Sequence, residues 1–143
     1  METSSENRIF KKVLVIDDSE TDRYVAKRMI EKYKFSHEIV VQESATNALL
    51  YLQSIESTPE ELPEFIFLDI RMPEMDGFGF LEEFKKLSQT TKAKCTIVML
   101  STSLDAEDIE RAKANPFVNR FVNKPLDKEK METLCQEFHP KFP

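Results

Sequence analysis

The sequence predicts a doubly wound α/β domain: one parallel sheet with helices on both faces. Short apolar runs, rich in β-branched and aromatic residues, recur along the 143-residue chain. A continuous apolar strand of this kind belongs in the middle of a parallel sheet, covered on both sides. Each run is followed by a stretch whose apolar positions repeat at helical spacing, and such strict alternation is the signature of βα units.

The first strand is Val13-Leu14-Val15-Ile16, which stops at Asp17-Asp18. Ser19 is a sound N-cap for a helix over 21–34, where Tyr24, Val25, Ala26, Met29 and Tyr33 fall at helical spacing. Residues 37–41 read as the second strand. Ser44 caps a second helix with Ala45, Ala48, Leu49, Leu52 and Ile55 as its apolar stripe. The polar stretch 56–64 carries two prolines and reads as a loop. Phe65-Ile66-Phe67-Leu68 is the third strand, ending in Asp69, and residues 78–87 form the third helix. Thr96-Ile97-Val98-Met99-Leu100 is the fourth strand, ending in Ser101, and the fourth helix over 105–114 closes at Asn115-Pro116. Arg120-Phe121-Val122-Asn123 is the fifth strand, ending in Lys124-Pro125. Asp127 then caps a last helix to about Phe138. Five βα units favour the flavodoxin-like strand order 2-1-3-4-5. The domain is expected over residues 9–138, with an N-terminal arm over 1–8 and a tail over 139–143.

Composition narrows the function. Apolar residues make up 41% and charged residues 32%, the balance of an ordinary globular protein with one core. Twenty basic residues stand against 26 acidic ones, a net charge of −6, so neither nucleic acid nor a membrane surface is an expected partner. Cys95 and Cys135 lack metal-ligand spacing and read as reduced, buried thiols. No apolar run is long enough to span a bilayer, and residues 1–7 are polar and acidic, so a cytoplasmic location is expected.

In an open parallel sheet, ligands bind at the carboxyl ends of the strands, where strand order reverses. Strands one, three, four and five are consecutive neighbours in the expected order. Asp17-Asp18, Asp69, Ser101-Thr102 and Lys124 therefore converge on one edge. Each alone has an ordinary explanation as a cap, a turn or a solvated charge. Four such coincidences at carboxyl ends, and none at amino ends, are far less credible. Three clustered carboxylates repel one another and call for a cation, and all-oxygen ligands suit a hard one such as Mg²⁺, with Mn²⁺ as an alternative. A hydroxyl and an ammonium opposite suit a phosphoryl group.

Through Val13-Leu14-Val15-Ile16-Asp17-Asp18, Asp69-Ile70-Arg71-Met72-Pro73-Glu74-Met75-Asp76-Gly77, Met99-Leu100-Ser101 and Phe121-Val122-Asn123-Lys124-Pro125, the chain resembles the CheY-like response-regulator receivers. The resemblance covers about residues 9–137. It implies that Asp69 is a phosphoacceptor served by a sensor histidine kinase or a histidine phosphotransfer protein. Asp18, Asp69 and the Arg71 carbonyl would bind Mg²⁺, with Asp17 acting mostly through coordinated water. Lys124, before a cis proline, would pair with the carboxylate and then with the phosphoryl oxygens. Ser101 and Phe121 would switch on phosphorylation. The fourth helix, fifth strand and last helix would carry the signal to an unknown downstream protein, and Phe117 and Phe121 there could support a homodimer. Such a chain is a signalling switch that catalyses only its own phosphorylation and dephosphorylation. It is expected to stand alone, as carrier, effector or phosphate sink. The Ser101-Thr102-Ser103 run is weakly similar to regulators paired with phytochrome-type kinases.

Phe121 stands where the family often has tyrosine, and Thr102 is bulkier than the frequent alanine. Thr102 and Arg71 are expected to slow hydrolysis of the phosphoaspartate. Two other tenants of such sites fit poorly. A haloacid dehalogenase-type phosphatase needs a general-acid aspartate where Arg71 stands. A flavin-binding module needs a hydroxyl- and glycine-rich phosphate loop after strand one, where this chain has Asp17-Asp18-Ser19-Glu20, and Gly77 and Gly79 are its two glycines.

Overall fold

The structure is a computed structural model and describes residues 9–102 and 105–138. Its strands are β1 (Phe10–Ile16), β2 (Ser36–Gln42), β3 (Phe65–Asp69), β4 (Thr96–Ser101) and β5 (Val118–Asn123). The helices are α1 (Glu20–Lys32), α2 (Ala45–Ser54), α3 (Gly77–Phe84), α4 (Gln89–Lys94), α5 (Ala106–Ala114) and α6 (Lys128–Phe138). All strand pairs are parallel, in the order β2-β1-β3-β4-β5.

Period-two side chains explain how the sheet holds two cores. In β1, Leu14 and Ile16 point to one face and Val13 and Val15 to the other, and all four are buried. Leu14 and Ile16 join Ile66, Leu68, Ile97 and Met99 beneath α2, α3 and α5. Val13 and Val15 join Phe65, Phe67, Val98 and Leu100 beneath α1 and α6. At the amino ends of the strands, Phe35 meets Phe65 edge-on at 5.0 Å, and Phe138 meets Phe65 at 5.7 Å. Burying one such ring stabilises the fold by roughly 1.5–3 kcal/mol.

Two details differ from the expectation. β1 begins three residues early because Phe10 and Lys12 are buried too. The Lys12 ammonium donates to the Tyr51 hydroxyl at 2.9 Å and to the Glu61 carbonyl at 2.6 Å, tying β1 to α2 and the 3₁₀ turn Pro59–Glu61. The third helix stops at Phe84, and a separate short helix, α4, precedes β4. Glu56 makes that helix possible: its carboxylate accepts from the Ser88 N–H at 2.8 Å and the Thr91 hydroxyl at 2.7 Å. Those bonds, that of Thr91 foremost, hold the Glu56 carboxyl below its ordinary range. The turn before β5 needs no left-handed residue, since the Asn115 side chain accepts from the Phe117 N–H at 2.9 Å.

The N-caps fall where the hydroxyls and carboxylates predicted. Ser19, Ser44 and Asp127 each accept a first-turn N–H of α1, α2 and α6. α1 ends in two nested bonds, Phe35 N–H to Ile30 carbonyl and Lys34 N–H to Glu31 carbonyl. This Schellman arrangement puts Lys34 in the left-handed region at φ 54°. No helix among the described residues is long and apolar enough to cross a membrane.

Candidate functional site

Register brings the strand ends together. Ile16 pairs with Leu68, Asp69 with Leu100, and Ser101 with Asn123, so Asp17, Asp69, Ser101 and Lys124 line one edge. The order β1-β3-β4-β5 makes the contributing strands direct neighbours.

Asp17, Asp18 and Asp69 each present a carboxylate oxygen within 4.8 Å of the others. Asp17 and Asp69 are buried and Asp18 is exposed. Asp17 is oriented locally, its Oδ1 accepting from the Ser19 N–H at 3.0 Å while its carbonyl accepts from Arg23 Nη1 at 2.9 Å. Lys124 Nζ is the cation that reaches into the group: it donates to Asp17 Oδ2 at 2.7 Å and lies 3.1 Å from Asp69 Oδ1. It also donates to Asp22 Oδ2 at 2.7 Å. The Lys124–Pro125 bond is cis.

Burial is the main cause that pushes the Asp69 carboxyl up, to about 6, and the charge of Asp17 adds to it. Lys124 pulls the other way without cancelling them. For Lys124, burial alone would lower the ammonium, but hydrogen bonds to Asp17 and Asp22 and the charge of Asp69 outweigh it, and the net direction is upward. Among the described residues the donor set suits a hard divalent cation: three gathered carboxylate oxygens, no imidazole or thiolate, and one lysine against four carboxylates.

Around this centre the Asp69–Gly77 loop is held tightly. Gly77 donates its N–H to the Ile70 carbonyl at 2.8 Å, and a Cβ on it would lie 2.6 Å from the Asp69 carbonyl oxygen and 2.8 Å from Met99 Cε. Glu74 sits at φ 70° at the centre of a γ-turn closed by Met75 N–H to Pro73 carbonyl at 2.8 Å. Ser101 is buried, and its carbonyl accepts from the Lys124 N–H at 2.8 Å. Thr102 is exposed, and Ser103 lies outside the described residues. Phe121 is half-buried.

The Arg71 side chain has partners that the sequence did not announce. Its guanidinium turns to α5, where it hydrogen-bonds the buried carboxylate of Asp108 and lies 3.9 Å from that of Asp105. The N-cap Asp105 and the first-turn Asp108 of α5 together present two carboxylates to it. Sequence reasoning also missed Asp22. An acid in a first helical turn reads as a partner of the helix dipole, and nothing local links it to a lysine 102 positions later. Both cysteines are free; burial pushes the Cys95 thiol up to about 12 and the half-buried Cys135 thiol up to about 11.

Residues 13–136 match the response regulator receiver domain family. The chain belongs to that family. Among curated relatives, this receiver is 30% identical over 125 residues to the probable methanogenesis regulatory protein FilR2 of Methanothrix harundinacea, covering 87% of this chain and 79% of that one. It is 27% identical to the response regulator Rcp1 of Synechocystis, covering 93% and 89%. Other relatives are longer: the receiver spans about half of the rice two-component response regulator ORR1, at 27% identity. It spans 14% of the sensor histidine kinase CheAY of Helicobacter pylori, at 28%. Among solved structures, a two-component response regulator from Cytophaga hutchinsonii superposes with a TM-score of 0.83 at 29% identity, covering 91% of this chain and 97% of that one. The phosphorylated cyanobacterial phytochrome response regulator RcpA does so at 0.73 and 26%, covering 93% and 96%. The receiver is thus a module of the type used in two-component signalling.

Proposed function

We propose that this receiver takes a phosphoryl group onto Asp69 from a phosphohistidine of a sensor histidine kinase or a histidine phosphotransfer protein. The observation that carries the proposal is the placement of the buried Asp69 carboxylate between two further aspartates and the Lys124 ammonium. Similarity to the phosphorylated regulator RcpA and to a receiver segment within a histidine kinase agrees with it.

A carboxyl raised to about 6 is still ionised at neutral pH, so Asp69 is ready as a nucleophile. An Asp69 oxygen forms the new bond to phosphorus. The P–N bond to the donor imidazole breaks, its electron pair stays on that nitrogen, and a proton neutralises the departing ring. Mg²⁺ held by Asp18, Asp69 and the Arg71 carbonyl, with Asp17 through water, would supply positive charge to the phosphoryl oxygens. Lys124 adds a second positive charge from its side of Asp69, and the Ser101 hydroxyl donates to the phosphoryl group once it is present. Thr102 restricts the approach of water, and Arg71, anchored to Asp108, covers the loop on the α5 side.

Output is read from α5, β5 and α6. Phe121 lies between two grooves on that face, of about 480 and 450 Å³, so the ring has space to change its packing when Ser101 moves. A downstream protein docks there, and a second copy of the receiver is the alternative occupant.

Incubation with acetyl phosphate, with and without Mg²⁺, tests the assignment. Intact mass should gain one phosphoryl group in the wild type only with Mg²⁺, and not in Asp69→Asn. Modification that persists in Asp69→Asn would remove the phosphoacceptor role.

A further inference from the structure

The Lys124 ammonium has three carboxylate partners, and one belongs to no strand end. Asp22 comes from the first turn of α1, where Ser19 Oγ accepts its N–H at 3.2 Å and so fixes its backbone. Its side chain is about one-third exposed and lies outside the trio of carboxylates that gather for a cation. It nevertheless holds Lys124 Nζ at 2.7 Å, as closely as Asp17 does and closer than Asp69 at 3.1 Å. A cavity of about 40 Å³ adjoins the contact, lined by Asp17, Asp22, Leu100 and Lys124 among others. That is room for a water, or for the ammonium to change partners.

We propose that Asp22 is a positioning residue that draws the Lys124 ammonium away from Asp69 and thereby sets the balance between cation and phosphoryl binding at this site. The proposal rests on the phosphoacceptor assignment of Asp69. Charge makes the effect two-sided. While Asp22 competes for Lys124, the Asp17, Asp18 and Asp69 carboxylates are less neutralised and hold a divalent cation more strongly. The same extra negative charge and the same competition oppose an incoming phosphoryl group, which needs Lys124 for itself. Loss of the Asp22 charge therefore moves the two ligands in opposite directions, whereas general damage to the site would weaken both.

The test uses Asp22→Asn, which keeps side-chain size and the helix cap, with Asp22→Glu as the charge-conserving variant and Asp69→Asn as control. Mg²⁺ is titrated first by amide NMR, and beryllofluoride is then titrated at saturating Mg²⁺. Asp22→Asn should raise the Kd for Mg²⁺ and lower that for beryllofluoride, each by about two- to fivefold, the scale of one partly exposed ion pair. Asp22→Glu should return both toward wild type. Equal affinities in wild type and Asp22→Asn, or two shifts in the same direction, would overturn the role of Asp22. A wild type that binds Mg²⁺ but takes no beryllofluoride would instead overturn the phosphoacceptor assignment, and the role of Asp22 with it.

Discussion

Removing the Asp69 charge should stabilise the metal-free protein. The carboxyl stands at about 6 in the fold against an ordinary 3.8, a rise caused first by burial and then by Asp17. Each unit corresponds to about 1.4 kcal/mol, so at pH 7.5 the ionised group destabilises the fold by up to about 3 kcal/mol. The sign follows from proton uptake. Between pH 6 and 4 the native state binds the proton and the unfolded chain does not. This destabilisation is therefore full above pH 6 and fades as pH falls toward 4. Asp69→Asn abolishes it at every pH, although Lys124 loses one of its three carboxylates, which trims the gain. Urea unfolding in EDTA should find Asp69→Asn more stable than wild type by about 1–3 kcal/mol at pH 7.5, with the gap narrowing at pH 4.5. Added Mg²⁺ should stabilise the wild type more than the variant at pH 7.5. A variant no more stable than wild type at pH 7.5, or a gap equal at both pH values, would refute the electrostatic account of this site.

Gly77→Ala should destabilise the protein by about 1–3 kcal/mol in urea titrations, because the added Cβ would meet the Asp69 carbonyl and Met99 at less than contact distance. Lys34→Gly should stabilise by roughly 0.5–1 kcal/mol in the same assay, since glycine adopts the left-handed φ at no steric cost and gives back part of the gain as unfolded-state entropy. Thr102→Ala should shorten the lifetime of the phosphoaspartate, followed by intact mass after removal of acetyl phosphate; a longer lifetime would show that the Thr102 side chain does not obstruct water.

The strands and the convergence of Asp17, Asp18, Asp69, Ser101 and Lys124 were legible because each buried strand is an apolar run closed by a polar residue. Topology does the rest. What escaped depends on contacts between distant residues. α4 has no apolar stripe, buries only Thr91 and takes its support from Glu56, 35 positions earlier than Thr91. Lys12, just before the predicted first strand, is buried against Tyr51 and Glu61. The partner of the Arg71 guanidinium, Asp108, lies 37 positions later, and no local pattern announces its burial.

The span of the Lys124–Asp17 contact, 107 residues, bears on how the protein is made. Aspartates 17, 18 and 69 leave the ribosome well before residue 124, and until β5 docks the acidic edge has no lysine to neutralise it. A chain released before β5 carries Asp69 and α5 but neither Lys124 nor the β5 and α6 part of the proposed output face. Closing so distant a contact is slow relative to local helix formation, so it belongs among the late events of folding. On the proposed function, the lysine that serves the acceptor and the strand that begins the read-out would then be put in place in the same step.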